Sequence, residues 1–156
     1  MIVHAYDSII SVENLLSVWE RFLRGKRYKK DVVAFGVELA DNIAPLHHAL
    51  SVQTYTHGGY SSFKISDPKP RIIHKASVPD RFTHHVIYDS LYLYFHQRFI
   101  YDSYSCRVNK GPYRATARFR QFARKVSKNN TRTCYVLKCD VKKFFASIDH
   151  EVLYKI

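Results

Sequence analysis

Apolar residues at helical spacing predict two helices in the first third of the chain. The first covers residues 11–24 and begins at Ser11, a residue type that commonly caps helices. The second extends from Phe35 to Leu50, after a polar and basic stretch over residues 25–30. Their apolar stripes consist of Leu15, Val18, Trp19 and Phe22 in the first helix, and of Phe35, Leu39, Ile43, Leu46 and Leu50 in the second. One stripe on each helix predicts that both pack against a common core.

The apolar residues that follow change to the alternating pattern of β-strands. Residues 52–56 and 62–65 both alternate, and a glycine pair between them predicts a hairpin turn. Residues 67–70 contain two prolines, which cannot donate backbone hydrogen bonds, so this stretch predicts a turn or an extended linker. A further short strand is predicted over residues 71–74. We therefore expect a small antiparallel sheet between the helices.

Helical spacing returns in the second half of the chain. Ser77 is predicted to cap a helix with Asp80 in its first turn, and another helix is predicted over residues 113–127. Their apolar faces consist of Ile87, Leu91, Tyr94 and Phe95 in the former, and of Ala115, Phe119, Phe122, Ala123 and Val126 in the latter. An apolar strand follows over residues 134–139, and Ser147 is predicted to cap a last helix. This order of helices and strands predicts an α+β fold.

The composition is that of a folded chain with a strong positive charge. Of 156 residues, 46% are apolar and 15% are aromatic, which excludes a disordered or low-complexity chain. The net charge is +12: residues 1–60 carry six basic and six acidic side chains, and residues 61–156 carry nineteen and seven. Charge concentrated in one part favours a polyanionic partner, with nucleic acid as the first candidate and an anionic membrane as the second. The alternative is a basic surface that serves solubility alone.

The densest positive charge lies on and around the helix predicted over residues 113–127. From Arg107 to Lys128 the chain has eight basic residues and no acidic one. They are Arg107, Lys110, Arg114, Arg118, Arg120, Arg124, Lys125 and Lys128. Such a surface binds phosphates regardless of base sequence, and the flanking Tyr104 and Tyr113 can stack on bases. An ordinary solvated face is the alternative, but the absence of acidic residues favours contact with a template or primer backbone.

Three features bear on where the protein works. Its cysteines are Cys106, Cys134 and Cys139, an odd number without a Cys-x-x-Cys pair, which favours reduced thiols. The first residues lack the basic start and the apolar run of a signal peptide. No stretch approaches the ~20 apolar residues that span a bilayer. We therefore expect a cytoplasmic protein that has no membrane partner.

The segment over residues 135–150 is more specific than any of its residues alone. An apolar strand ends at Asp140, and two aromatic residues follow it, Phe144 and Phe145. A carboxylate fixed at a strand end suits Mg²⁺, which takes oxygen ligands, whereas an isolated aspartate there is more often a cap or a turn residue. The segment as a whole resembles the first palm motif of reverse transcriptases from bacterial retroelements. These include group II introns, retrons and diversity-generating retroelements.

Three further segments resemble the same family and occur in its order. Residues 63–73 are similar to a fingers segment in which a basic residue precedes a short strand. Residues 80–85 resemble the next segment, in which an arginine opens a helix. Residues 99–111, with the basic helix after them, resemble the loop and the helix that precede the palm. The resemblance covers roughly residues 12–156.

The resemblance implies roles for the residues around the palm motif. Asp140 would be a ligand of a catalytic pair of Mg²⁺ ions, with the carbonyl of Val141 beside it. Phe145 would be an aromatic gate that excludes a 2′-hydroxyl by its bulk. Two metal ions need more than one carboxylate, and the family supplies the others from a Tyr/Phe-x-Asp-Asp hairpin. The chain contains no Asp-Asp pair, so we expect it to be a part of such an enzyme that is inactive alone.

The resemblance also implies two cations in the fingers. Arg71 and Arg81 would hold the triphosphate of the incoming deoxynucleotide. Lys69 or Lys75 could take the place of Arg71, because the sequence does not fix the register of the strand. The alternative for both arginines is a surface ion pair with an acidic neighbour, either Asp67 or Asp80.

The resemblance implies the fingers and the first palm strand of a right-hand polymerase, with fingers over residues 1–133 and the start of a truncated palm over residues 134–156. The whole enzyme would be an RNA-directed DNA polymerase that binds an RNA template, a DNA or RNA primer and deoxynucleoside triphosphates with Mg²⁺. Competing hypotheses are a non-catalytic nucleic-acid-binding module with a fingers fold and a scaffold for a partner protein. We also expect self-association, because the palm strand would lack its neighbours and expose an unpaired edge.

Overall fold

The structure is a computed structural model that describes residues 6–155. The chain forms two compact units, Met1–Ile100 and Tyr101–Ile156. The first unit contains α1 (Tyr6–Ile10), α2 (Val12–Phe22), α3 (Lys30–Val37), α4 (Leu39–Ser51), β1 (Tyr60–Ser66), β2 (Pro70–Ala76) and α5 (Val78–Arg98). The second contains α6 (Pro112–Val126), a 3₁₀ helix (Phe144–Ser147) and α7 (His150–Tyr154). This mixture of helices with a two-stranded antiparallel sheet confirms the predicted α+β class. In the part described, no helix has both the length and the apolarity needed to cross a bilayer.

The core of the first unit lies where α2, α3, α4 and α5 meet. Trp19 is central to it: the centroid of its ring lies 5.4 Å from that of Phe22, 5.1 Å from Phe35 and 5.7 Å from Phe82. Full burial of a large apolar side chain stabilises a fold by about 1.5–3 kcal/mol. The buried cluster consists of Leu15, Val18, Trp19, Phe22, Val32, Phe35, Ile43, Leu46, Val78, Phe82 and Val86. Every stripe residue predicted for α2 belongs to it, so that prediction is confirmed.

The second predicted helix is wrong as a single element, because the chain breaks it at Glu38. This residue has φ −109° and ψ 43°, outside the helical range, and it separates α3 from α4. The side chain of Asn42 donates a hydrogen bond of 3.1 Å to the carbonyl of Phe35, which satisfies a backbone group at the end of α3. With the break in place, Phe35, Ile43 and Leu46 all reach the core.

The predicted pairing of residues 52–56 with residues 62–65 is wrong. Instead β1 pairs antiparallel with β2, and the chain reverses between them over residues 67–69. The strand predicted over residues 71–74 is confirmed within β2, and residues 62–65 are confirmed as a strand within β1. The proline-containing stretch is therefore the hairpin turn.

Residues 52–56 form no strand because their polar groups bond to the helices around them. The N–H groups of Thr54 and Tyr55 both donate to the carbonyl of Ala49, at 2.9 and 3.1 Å. The phenol of Tyr55 donates to the carboxylate of Asp80 at 2.6 Å. This last bond joins residues 25 positions apart, which local alternation in the sequence does not reveal.

α5 begins where the sequence predicted, but its buried face differs from the predicted one. Ser77 caps the helix, and its hydroxyl accepts the N–H of Asp80 at 3.3 Å. The buried apolar residues of α5 are Val78, Phe82 and Val86. Ile87, predicted to face the core, is half exposed. Because α5 carries aromatic residues on several faces, its spacing did not identify the face that meets α2.

The second unit confirms a helix over nearly the predicted residues 113–127, with Pro112 at its first turn. The apolar face of this helix, α6, is not buried, however. Phe119, Phe122 and Val126 are exposed by 51%, 43% and 64%. The amphipathic pattern therefore predicted the helix correctly but not the environment of its apolar side.

The strand predicted over residues 134–139 is wrong, since this segment has no secondary structure. Within residues 6–155 the strands β1 and β2 pair only with each other, so residues 134–139 have no strand beside them. A β-strand needs such a partner for the hydrogen bonds of its backbone. Tyr135 and Leu137 are accordingly 95% and 89% exposed.

The last helix begins two residues later than predicted. Asp149, not Ser147, is its cap, and the Asp149 carboxylate accepts the N–H groups of Glu151 and Val152 at 2.9 and 3.1 Å. Ser147 instead ends the 3₁₀ helix, where its hydroxyl donates to the carbonyl of Phe144 at 2.8 Å. A carboxylate is favoured at this position because the N-terminus of a helix carries partial positive charge.

Candidate nucleic-acid interface

The loop before α6 folds back on itself and places its basic and aromatic residues beside the helix. Gly111 caps α6 with φ +99°, a left-handed conformation that favours glycine, and its N–H donates to the carbonyl of Tyr104 at 3.0 Å. Arg107 and Lys110 also bond to the loop backbone, to the carbonyls of Ser103 at 3.2 Å and of Tyr101 at 2.7 Å. The loop is thus fixed by hydrogen bonds to its own backbone carbonyls, from one backbone N–H and two side chains.

A pocket of about 210 Å³ lies between this loop and α6. Its lining consists of Tyr101, Tyr104, Lys110, Arg114, Ala117, Arg118 and Gln121. The Lys110 ammonium lies 3.9 Å from the ring centroid of Tyr101 and 4.9 Å from that of Tyr104. Aromatic faces next to cations are the combination that binds the bases and phosphates of a single strand.

Arg118 is held inside this pocket by Asp102. Its Nε donates to the Asp102 carboxylate at 3.0 Å, and its guanidinium lies 4.4 Å from the ring centroid of Phe122. The Arg118 hydrogen bond lowers the pKa of Asp102, and the same bond raises the pKa of Arg118. Tyr104 donates to the same carboxylate oxygen at 3.0 Å, and burial together with this bond raises the pKa of Tyr104. Sequence reasoning missed Asp102, because the acid-free stretch that drew attention begins at Arg107.

The remaining cations of the stretch face solvent. Five are exposed: Arg114, Arg120, Arg124, Lys125 and Lys128. Arg114 also donates to the carbonyl of Asn109 at 2.7 Å, which orients its guanidinium beside the pocket. Tyr113, at the start of α6, is 92% exposed. The predicted nucleic-acid face therefore divides into a structured pocket and an open row of cations along the helix.

In the first unit, two of the predicted fingers cations meet on one carboxylate. Lys75 of β2 lies 2.6 Å from the Asp31 carboxylate, and Arg81 of α5 lies 2.5 Å from the same oxygen. The hydrogen bond from Lys75 is the largest effect that lowers the pKa of Asp31. Arg81 does pair with an acid, but the partner is Asp31 rather than Asp67 or Asp80. Nothing in the spacing of the sequence pointed to Asp31, which is 50 residues from Arg81.

The other two fingers candidates lie apart from this contact. Arg71 is exposed on β2 opposite Ile65, and Lys69 is exposed in the turn before that strand. Residues 71 and 75 share one face of the ribbon, since side chains alternate along a strand. Of the three basic residues considered for the strand, the structure thus brings Lys75 together with Arg81.

Asp80 is buried at the base of the hairpin and joins three segments. It is 2% exposed and accepts hydrogen bonds from the Tyr55 phenol at 2.6 Å, the Gly58 N–H at 3.1 Å and the Ser77 hydroxyl at 2.5 Å. Burial raises the pKa of this carboxyl, but the hydrogen bonds outweigh burial and lower its pKa to about 2. Burial and the Asp80 contact raise the pKa of Tyr55 to about 12. The network fixes the chain before β1 against the first turn of α5, next to Arg81.

The residues that the resemblance assigns to a palm are exposed in the last part of the chain. Val141 and Phe145 are 61% and 84% exposed, and Asp140, which directly precedes Val141, is also exposed. Phe144 packs on Phe145 with ring centroids 5.3 Å apart. Within the described residues, no three acidic, histidine or cysteine side chains come together as metal ligands. Asp140 alone does not fit a pair of Mg²⁺ ions, so no catalytic step through metal follows from these residues.

No protein-family model matches the chain, and no curated protein sequence matches it.

Proposed function

We propose that this chain is the nucleic-acid-binding N-terminal part of an RNA-directed DNA polymerase of the reverse transcriptase type. The observation that carries the proposal is the row of exposed cations on α6 beside a pocket with tyrosine walls. Phosphates of a template or primer would lie along the helix, and a base would stack in the pocket. Asp102 holds Arg118 and Tyr104 in place, so the pocket is organised before a ligand enters.

The assignment to reverse transcriptases is supported by the order of the four segments that resemble that family. In this proposal the first unit supplies fingers cations for a deoxynucleoside triphosphate, and Asp140 and Val141 supply part of an Mg²⁺ site. Phe145 is the gate against a 2′-hydroxyl. The right-hand fold, the RNA template and its primer, and a cytoplasmic location belong to the same proposal.

One observation favours the second candidate, a non-catalytic nucleic-acid-binding module. Within residues 6–155, Asp140 belongs to no group of three or more acidic, histidine or cysteine side chains that could hold a metal ion. A protein that only binds nucleic acid would use the α6 surface in the same way but would have no use for the incoming nucleotide. The two candidates therefore differ in their response to deoxynucleotides.

The experiment is a salt titration of binding to a labelled RNA–DNA primer–template, followed by fluorescence anisotropy. The chain is compared with a variant in which Arg114, Arg120 and Arg124 are alanine. Each lost phosphate contact lowers the slope of log affinity against log salt by about 0.7–0.9, so we expect the slope to fall by about 2–3. An unchanged slope would contradict the proposed surface.

A charge-matched control separates the α6 surface from net charge. Arg24, Arg27 and Lys29 lie exposed in the first unit, and changing all three to alanine removes the same charge. We expect the slope of this control to stay near that of the unmodified chain. Addition of Mg²⁺ with the deoxynucleotide complementary to the next template base then tests the polymerase assignment. A complex that tightens only with the complementary nucleotide supports the polymerase, and an equal response to all four favours the non-catalytic module.

A further inference from the structure

The contact of Asp31 with Lys75 and Arg81 has the geometry of an occupied anion site. Both cations approach the same carboxylate oxygen, at 2.6 and 2.5 Å, and they come from different elements, β2 and α5. Convergence of an ammonium and a guanidinium on one oxygen is how proteins hold the oxygen of a phosphate. Here the oxygen belongs to the first turn of α3.

A groove of about 410 Å³ next to Arg81 adds a third cation without adding an acid. It is lined by Phe22, Lys26, Arg81, His84, His85 and Tyr88. The Lys26 ammonium donates to the carbonyl of Phe22 at 2.8 Å and lies 4.5 Å from the centroid of its ring. Burial and then the nearby charge of Arg81 lower the pKa of Lys26. Lys75 and Arg81 thus contact one carboxylate, and Lys26 lines the groove beside Arg81, which leaves the cluster with an excess of positive charge.

The carboxylate that fills this position can be displaced. The side chains of Lys75, Asp31 and Arg81 are 41%, 33% and 24% exposed, so a ligand from solvent can reach all three. Ion pairs this exposed contribute little net stability, since water and salt screen them. A ligand with several negative charges competes well against one carboxylate, because its attraction to the three cations scales with its charge.

We propose that Lys26, Lys75 and Arg81 form a phosphate-binding site in which Asp31 is an internal competitor that the ligand displaces. The inference rests on the proposed function for its ligand class, since it assigns the phosphate groups of a nucleotide or of a nucleic-acid backbone to the site. Asp31 then weakens the binding of ligands with a single charge and sets a threshold that polyphosphates exceed. It is a specificity-determining residue, not a catalytic one.

The test measures binding of inorganic tripolyphosphate by calorimetry to the unmodified chain and to Asp31→Asn. Loss of a full negative charge at contact distance in a partly exposed site predicts roughly tenfold tighter binding. The same change is expected to alter thermal stability only slightly, because an ion pair this exposed contributes little to it. A residue with only a structural role would lower stability without improving the affinity for phosphate.

Two further variants locate the effect. Asp41→Asn removes an exposed carboxylate of the same unit, in the first turn of α4, and it is expected to give no gain in affinity. In the unmodified chain, Lys26→Met is expected to weaken binding several-fold, which tests the site even if Asp31→Asn fails to fold. A gain in Asp41→Asn equal to that in Asp31→Asn, or no loss in Lys26→Met, would overturn the proposal.

A parallel arm with a single-stranded RNA distinguishes the source of the phosphates. A gain from Asp31→Asn with tripolyphosphate supports a free polyphosphate such as that of a nucleotide, and a gain with RNA alone supports the backbone. Equal binding by both forms of the protein overturns the role of Asp31 while the site itself survives. Binding to neither ligand overturns the site, and the primer–template titration of the α6 surface then stands or fails independently.

Discussion

The buried carboxylate of Asp80 offers the sharpest test of how the first unit is held together. Asp80→Asn preserves the shape of the side chain but removes its charge and replaces one acceptor oxygen with a donor. That donor would face groups that themselves donate: the Tyr55 phenol, the Gly58 N–H and the Ser77 hydroxyl. We expect the chain before β1 to loosen from α5 and the free energy of unfolding to fall.

The pKa of Asp80 gives the magnitude. A carboxyl pKa of about 2, against an ordinary value of 3.8, corresponds to about 2–3 kcal/mol of preference for the charged form in the folded protein. Because the folded pKa is depressed, this contribution is present above about pH 4 and is lost as the pH falls through about 2. The loss caused by Asp80→Asn should therefore be about 2–3 kcal/mol at pH 7 and should shrink towards pH 2.

The assay is urea unfolding monitored by the fluorescence of Trp19, the only tryptophan of the chain. Its ring lies 5.7 Å from Phe82, two residues beyond Asp80, so the signal reports on this unit. The matched control is Asp41→Asn in the first turn of α4, where the side chain is exposed and the expected loss is a few tenths of a kcal/mol. Equal losses in the two variants, or a loss in Asp80→Asn that persists at pH 2, would refute the reasoning.

Two further predictions concern the same unit and use the same unfolding assay. A Cβ at Gly58 would lie 3.0 Å from an oxygen of Asp80, so Gly58→Ala should lower the free energy of unfolding by about 1–2 kcal/mol. The loss should be smaller when Asp80 is already alanine, and additive losses in the double variant would contradict a direct contact. Phe82 is fully buried between the rings of Trp19 and Phe22, so Phe82→Ala should cost about 3–5 kcal/mol; a cost below about 1 kcal/mol would contradict its place in the core.

The starts of α2 and α5 were predictable because their signals are local. Ser11 and Ser77 cap their helices through N–H groups three residues ahead, and the stripe of α2 lies within about three turns. The break at Glu38 was not predictable in the same way. Phe35 and Ile43 lie at helical spacing on either side of the break, so the spacing does not reveal it. The break depends on how these residues reach a core that helices from elsewhere in the chain also form.

The candidate sites were predictable in their cations but not in their partners. Eight basic residues without an acid were visible in the sequence, and Lys75 and Arg81 were among the candidates for the fingers. Asp31 and Asp102 were missed because an ion pair between residues 50 or 16 positions apart leaves no periodic trace. These acids decide which cations are held in place and which remain exposed. The structure therefore changes the roles expected of individual residues more than it changes the positive charge expected of the surface.

Residues 134–139 show most clearly what an apolar pattern contains. The segment has the sequence of a buried strand, yet the residues described here provide no strand beside it, and Leu137 is 89% exposed. A pattern of this kind indicates that a segment is suited to burial. A β-strand also needs a second strand to form hydrogen bonds with its backbone. The proposed palm accounts for both observations, because its first strand is completed by neighbours that residues 6–155 do not supply. A partner that pairs with residues 134–139 should therefore convert this segment into a strand that ends at Asp140, as the proposed palm motif requires.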